Sequence, residues 1–256
     1  VGYKALEDIT TGIANVGIGG RAGASIQDGN SNVAIGAYDG TFLGALQTNV
    51  VGDFNVAIGT GALSTANAAD NDGTVAIGHL ACQDQVCAGS SQSVGAQVAI
   101  GLQALMNNTT GIRNLAIGAF SLDALVDSDD NIAIGYTAMG GLSDVNSNNN
   151  LAIGNYAMDN ITDLGSGEEC TDNIMIGKNT GGGTWATTAS THNVGIGNAA
   201  LTGALVGSVG TVAIGASALA ALTSGARNLA IGYTAADAMT QGDDNIVIGY
   251  SAFGAA

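Results

Sequence analysis

A five-residue phrase, Asn-Val-Ala-Ile-Gly with small variations, recurs thirteen times and limits what this chain can fold into more than any other feature. Its closing pairs run from Ile18-Gly19 to Ile248-Gly249, and Val1-Gly2 reads as the tail of a fourteenth copy. Successive glycines, counted from Gly2, lie 17, 17, 23, 19, 23, 17, 17, 19, 23, 20, 18, 17 and 17 residues apart. A floor of 17 with additions of one to six describes one structural unit repeated, with loops inserted on some copies. Such a unit cannot bury its apolar face alone, but stacked copies bury a continuous core. The pattern predicts a repeat solenoid. Residues 1–256 form a single array of about 14 coils, with inserted loops near 37–54, 79–96, 155–172 and 178–192.

Within each phrase the order is large, small, large, Gly. Val, Leu or Ile follows the leading polar residue, Ala stands in the middle of nine copies, and Ile precedes every glycine. That alternation is the period of a β-strand with one aliphatic face and one nearly bare. The large residues are expected to point into the core. The Ala face, represented by Ala34, Ala57, Ala116, Ala133, Ala213 and Ala230, is then left outside and predicted to bury against another copy of the chain. The glycine is expected where the backbone turns too sharply for a side chain. The leading residue is Asn at 15, 32, 55, 114, 131, 150, 173, 193, 228 and 245, and Thr74, Gln97 and Thr211 keep a hydrogen-bonding group there. Stacked in register, Asn15, Asn32, Asn55, Asn114, Asn131, Asn150, Asn173, Asn193, Asn228 and Asn245 are predicted to form a side-chain ladder that fixes register.

After the glycine the period changes. Apolar residues favour positions +3, +4 and +7, as in Ala138, Met139, Leu142 and in Ala218, Leu219, Leu222. A helix puts all three on one face, whereas a strand splits +4 from +7. The prediction is one short strand and one short helical stretch per coil of ~17 residues. A second short strand, giving an all-β parallel roll, is the alternative. All six tyrosines fall within two residues of a repeat glycine and should line one edge of the array. Tyr136, Tyr233 and Tyr250, together with Trp185 in the Gly181-Gly182-Gly183-Thr184-Trp185 stretch, are the candidate ligand contacts, because aromatic faces accept apolar and cationic partners.

Composition narrows the functional classes. Five basic residues stand against 21 acidic ones, for a net charge of −16, which disfavours nucleic acid and anionic membranes as partners. No stretch approaches ~18 unbroken apolar residues, so no membrane insertion is expected. Proline is absent, which suits a ladder that needs nearly every backbone N–H as a donor. The chain opens in mid-repeat and stops at Ser251-Ala252-Phe253-Gly254-Ala255-Ala256, which reads as a segment of a longer array or a unit that stacks end to end. Cys82 and Cys87 sit five apart in one inserted loop, a spacing compatible with a disulfide. Cys170 lies four coils on, about 19 Å along the stack, beyond disulfide reach.

Convergent chemistry is hard to find. Only His79 and His192 exist, far apart, so neither a Ser-His-Asp arrangement nor a histidine-rich metal site is expected. Glu168-Glu169 and Asp127-Ser128-Asp129-Asp130 are carboxylate pairs by type alone and read better as solvated turns. No cofactor is expected. Asp243-Asp244 would hold Ca²⁺ only weakly, and the Gly- and Asp-rich nonapeptide of calcium rolls is missing.

The phrase at 32–36 and 55–59 resembles the repeats in the heads of trimeric autotransporter adhesins, which form parallel β-rolls and bind host matrix or surfaces. The longer phrase Ala-Leu-Met-Asn-Asn-Thr-Thr-Gly-Ile-Arg-Asn-Leu-Ala-Ile-Gly at 104–118 looks still more like repeats in bacteriophage tail-fibre proteins and bacterial surface fibres. The resemblance covers essentially the whole chain. It implies a non-enzymatic structural fibre, extracellular on a cell surface or virion, that associates with itself and presents receptor-binding loops. A glycan- or surface-binding adhesin head is the alternative. An ice-binding or hydrolytic solenoid ranks behind both, because no Thr ladder spans the repeats.

Overall fold

The chain is a parallel β-solenoid, seen in a computed structural model that describes residues 1–65, 72–85, 96–143, 147–161, 169–185 and 188–254. It divides into two compact units, Val1–Asp127 and Ser128–Ala256. The first carries six strands of three residues each: β1 Val16–Ile18, β2 Val33–Ile35, β3 Val56–Ile58, β4 Val75–Ile77, β5 Val98–Ile100 and β6 Leu115–Ile117. The second carries seven: β7 Ile132–Ile134, β8 Leu151–Ile153, β9 Ile174–Ile176, β10 Val194–Ile196, β11 Val212–Ile214, β12 Leu229–Ile231 and β13 Ile246–Ile248. Within each unit the strands pair in chain order, parallel and in register, so that Val33 lies beside Val56, Ala34 beside Ala57 and Ile35 beside Ile58. The same register joins coils separated by 17 residues in β1–β2, 19 in β7–β8 and 23 in β2–β3 and β8–β9. Insertions leave it intact because they are confined to the loops.

Each strand stops at its glycine for a local reason. Gly135 has φ +142°, and a Cβ built on it would stand 2.5 Å from the carbonyl oxygen of Gly154 in the next coil. Gly36 repeats the arrangement against Gly59 at 2.5 Å with φ +158°. The repeat glycines therefore form a column in which backbone rests on backbone, with no room for a side chain.

The segment after the glycine is not a helix, and among the described residues there is none. In nearly every coil the second and fourth residues after the glycine adopt left-handed φ: Gln103 +56° and Leu105 +51°, Thr137 +53° and Met139 +51°, Ser217 +57° and Leu219 +51°. Alternation of hand breaks a helix, which needs every residue right-handed. Each non-glycine in that region costs on the order of 1 kcal/mol. What offsets the cost is bonding to the neighbouring coils. Gln103 N donates to His79 O of the preceding coil at 2.9 Å, and Leu105 N donates to Ser121 O of the following one at 3.0 Å. A helix would spend those donors internally, and its rise of ~1.5 Å per residue cannot match rungs ~4.8 Å apart. The observed coil is closer to the all-β alternative, although its second side carries only isolated bridges, Ile161 to Trp185 and Thr191 to Val209.

The burial of the post-glycine segment is the one that a helical face would give. Ala138, Met139 and Leu142 are fully buried, as are Ala218, Leu219 and Leu222. They pack on the middle residue of the strand, and here the expected orientation is reversed. Ala34, Ala57, Ala116, Ala133 and Ala213 have no exposed surface and Ala230 is 1% exposed, whereas the flanking Val, Leu and Ile residues face outward. The alanines cannot be the face that meets another copy, because the coil's own core covers them. Width is the cause. The opposite wall stands close: a Cβ on Gly17, which occupies an alanine position in β1, would lie 2.6 Å from Leu6 Cγ, so that coil has no room even for a methyl group unless Leu6 shifts, and a larger residue would fit still less. Volume is balanced along the column. Met175 occupies the alanine position in β9, and a Cβ on Gly195 in β10 would stand 2.7 Å from its sulfur.

Candidate functional site

The Asn residues that open the strands lie inside the coil and make two kinds of bond. The side-chain oxygen accepts from the backbone N–H of the leading residue one coil on. Asn32 N donates to Asn15 Oδ1 at 2.9 Å, Asn55 N to Asn32 Oδ1 at 2.9 Å and Thr74 N to Asn55 Oδ1 at 2.9 Å. In the second unit Asn150 N donates to Asn131 Oδ1, Asn173 N to Asn150 Oδ1, Asn193 N to Asn173 Oδ1 and Asn245 N to Asn228 Oδ1, at 3.0–3.1 Å. The side-chain nitrogen donates to a carbonyl of the next coil, as from Asn15 to Gly29 at 2.7 Å, Asn173 to Ser190 at 2.9 Å and Asn193 to Ser208 at 2.8 Å. Asn114 is buried in the same column. Where Gln97 replaces Asn, its Nε2 reaches Gly111 O, so the longer side chain performs the same donation.

A second ladder was legible but not singled out from sequence. Seven residues before each repeat glycine stands Gly or Ser in ten coils, at Gly12, Gly29, Gly52, Gly111, Ser128, Ser147, Ser190, Ser208, Gly225 and Gly242. Ser147 N donates to Ser128 Oγ at 3.0 Å, Cys170 N to Ser147 Oγ at 3.1 Å and Ser208 N to Ser190 Oγ at 3.1 Å. Cys170 is a buried member of this column. Cys82 lies buried among the core leucines, with its thiol 3.1 Å from Gln85 Oε1. A Cys82–Cys87 bridge falls outside the described residues.

One residue further on, a third column faces solvent. Ile13 N donates to Asn30 Oδ1, Asn30 N to Asp53 Oδ1 and Asp53 N to Asp72 Oδ1, at 3.0, 2.6 and 2.7 Å. Much of the acidic excess serves such roles. Asp28 accepts from the Thr11 and Thr10 hydroxyls, both at 2.7 Å, which holds its carboxyl below the ordinary value. In the loop 37–54, Asp39 accepts from Phe42 N and Thr41 N at 2.8 and 2.9 Å and is held down likewise. The Asp243-Asp244 pair is occupied too. Arg227 donates two bonds to Asp244, at 2.6 and 2.9 Å, and Ala226 N donates to Asp243 at 2.8 Å. Burial pushes Asp123 and Asp159 the other way, above the ordinary carboxyl range. Among the described residues no group of three or more His, Cys, Asp or Glu is placed to hold a metal ion. Glu168 lies outside the described residues.

The aromatic candidates separate. Trp185 is fully buried and its Nε1 has no partner among the described residues, so it is a core plug stacked over Ile161 rather than a ligand contact. Room for it comes from the bare Gly181, where a Cβ would stand 3.2 Å from the indole. The tyrosines are outside. Tyr136 packs edge-on against Tyr156 with ring centres 5.3 Å apart, and Tyr233 stacks on Tyr250 at 5.5 Å. Arg21 lies over the Tyr38 ring at 4.9 Å, and Phe42 meets His79 edge-on at 4.9 Å. The Tyr136–Tyr156, Tyr233–Tyr250 and Arg21–Tyr38 pairs form because each member sits one or two residues after its glycine, and pairing brings those positions one rung apart.

No protein-family model, no curated protein and no solved structure matches this chain.

Proposed function

We propose that this chain is a non-enzymatic shaft segment of a fibre carried on a cell surface or virion, its inserted loops offered to a receptor. The observation that carries the reading is the self-templating coil. Asn32, Asn150, Asn173 and Asn193 each give a backbone N–H to the preceding coil's side chain and donate their own side-chain N–H to the following coil's backbone. An array so built extends by adding like units, and its stability is close to a sum over neighbours. Buried Asn and Ser are spent on register, which a spacer of defined length needs. The test is an array-length series. Inserting five further copies of residues 216–232 should lengthen the particle by about 24 Å in electron micrographs, with melting unchanged or raised. An insertion variant that unfolds, or whose length does not change, refutes the shaft. A glycan-binding head is the second reading, favoured by the exposed Tyr136–Tyr156 and Tyr233–Tyr250 pairs. A glycan-array signal lost on Tyr233→Ala in a protein of unchanged melting temperature would select it.

A further inference from the structure

Lysine and arginine are scarce in this chain, five residues against a net charge of −16, yet two of them stand on consecutive coils of the tyrosine edge. Lys4, Arg21 and Tyr38 are the second residues after Gly2, Gly19 and Gly36. Backbone bonds between coils hold them there, with Arg21 N donating to Tyr3 O at 2.8 Å and Tyr38 N to Gly20 O at 2.9 Å. The two cation–ring contacts among the described residues are both in this group, Lys4 over Tyr3 at 5.7 Å and Arg21 over Tyr38 at 4.9 Å. Glu7 accepts from Lys4 at 2.9 Å and raises its amine above the ordinary value, while the nearby Arg21 charge works the other way. Arg21 has no such carboxylate. It is half-buried on the Tyr38 ring, and its planar fork of N–H donors has no protein acceptor among the described residues. Gly20 stands beside it, and neither backbone nor packing requires a glycine there. Its φ lies outside the left-handed region, and a Cβ built on it would meet nothing nearer than Tyr3 O at 3.9 Å. The same offset carries Tyr3 one coil before and Ala37 one coil on, so the missing side chain leaves a gap in the edge.

We infer that Lys4, Gly20, Arg21 and Tyr38 form a subsite for a carboxylate borne on a pyranose ring, the chemistry shared by uronic and sialic acids. A guanidinium fork pairs with both oxygens of a carboxylate, and the Tyr38 ring holds that fork flat and ready. Lys4 adds a second positive charge one coil away. The gap at Gly20 admits the sugar ring, whose apolar face meets the exposed Tyr3. Charge sets the ligand class. A polyanion is repelled by the acidic remainder of the chain, whereas a sugar acid brings one charge per ring to the place where two cations stand. The aromatic face and the bare glycine set it further, because a small inorganic anion uses neither. Asp39, next to Tyr38, does not compete for Arg21. Its carboxylate is turned into its own loop, where Thr41 N and Phe42 N donate to it at 2.9 and 2.8 Å. The inference rests on the reading that the chain meets a receptor glycan, but it stands on other residues than the Tyr136–Tyr156 and Tyr233–Tyr250 pairs.

The test is an NMR titration of the full chain, followed at the Gly20 amide and the Arg21 Nε–H. The probes are the methyl glycosides of glucuronic acid, N-acetylneuraminic acid and glucose, with acetate as the bare carboxylate. At least one sugar acid should bind with a dissociation constant on the order of 1 mM, and methyl glucoside and acetate should bind at least about tenfold more weakly. Arg21→Gln and Tyr38→Ala should each weaken the sugar acid about tenfold or more, and Arg21→Lys should also weaken it, because an ammonium lacks the fork. Gly20→Leu fills the gap without backbone strain, so binding should be lost with the melting curve unchanged, which covers failure of an Arg21 variant to fold. Arg227→Gln, which removes an arginine already paired with Asp244, should leave binding as it was. Absence of binding by either acid up to about 20 mM overturns the inference, as does acetate or methyl glucoside binding equally well. Binding lost on Tyr233→Ala but kept on Arg21→Gln also overturns it, and leaves the glycan-binding head standing. Binding lost on Arg21→Gln and kept on Tyr233→Ala supports it, whatever the array-length series gives for the shaft.

Discussion

Replacing Asn173 with alanine removes four hydrogen bonds at a position with no exposed surface. Asn173 Oδ1 accepts from Asn193 N at 3.0 Å and from Asn193 Nδ2 at 3.2 Å, and its Nδ2 donates to Ser190 O at 2.9 Å and to Asn150 Oδ1 at 3.1 Å. The last acceptor is not orphaned, because Asn173 N still donates to it at 3.1 Å. The backbone N–H of Asn193 and the carbonyl of Ser190 each lose a partner, and a methyl group offers neither a replacement. A buried backbone group left without a partner costs about 1–3 kcal/mol, so the pair sets an expected loss of about 2–6 kcal/mol. Against a typical stability of about 5–15 kcal/mol that is a large fraction, and for a chain of this length it lowers the melting temperature by roughly 5–20 °C. Asn173→Thr should cost less, since Thr74 and Thr211 occupy the same column. Thermal and urea melts followed by circular dichroism give the magnitude. Hydrogen exchange gives the location, with the Asn193 amide losing protection before amides several coils away. An alanine variant within about 0.5 kcal/mol of the parent, with the Asn193 amide as protected as before, refutes the claim that the ladder holds register.

Gly135→Ala meets a carbonyl at 2.5 Å with φ +142° and should destabilise by more than about 3 kcal/mol, whereas Gly40→Ala, φ +103° with nothing within 4 Å, should cost about 1–2 kcal/mol in a melting comparison. Ala213→Leu should cost at least 1–3 kcal/mol by overpacking, while Ile214→Thr at the next residue should leave the monomer within about 1 kcal/mol, an order that reverses if the large residues pointed inward. Carboxyl titration by NMR should place Asp28, Asp39 and Asp244 below 3.8 and Asp123 and Asp159 above it. The three depressed groups then contribute stability that is present above pH 3.8 and lost as pH falls through their folded values. Asp123 and Asp159 act oppositely, favouring the fold at low pH and losing that contribution as pH rises from 3.8 through their raised values.

The tyrosine edge and the tryptophan show how far residue type alone carries a site. Tyr136 and Tyr233 sit at a fixed offset from the glycine column, and that offset is enough to place them outside and in neighbouring rungs. Trp185 stands in an inserted stretch with no counterpart, and only the bare Gly181 beside it shows that the coil makes room for an indole. A Trp185→Ala variant would therefore report a lost core, not a lost ligand contact. The serine column before the strands carried a signal of the same strength as the asparagine one, a small residue at constant spacing, yet Gly and Ser are common enough in loops to pass as turn residues.

What the sequence determined by itself is everything that depends on repetition. Recurrence of one phrase, with extra residues confined to the stretches between copies, puts like residues above one another, and stacking in register then dictates strands at Val-Ala-Ile, a column of glycines and a ladder of asparagines. Tertiary structure decided what depends on the space across the coil. A period of two says that a strand's faces differ, but the inner face is set by the opposite wall, where Leu105 and Met139 already fill the gap and leave room only for alanine. The hand of the residues after the glycine was decided there as well. Leu105 and Met139 can point inward from a helix or from alternating turns, and only the demand that each N–H reach a neighbouring coil selects the turns.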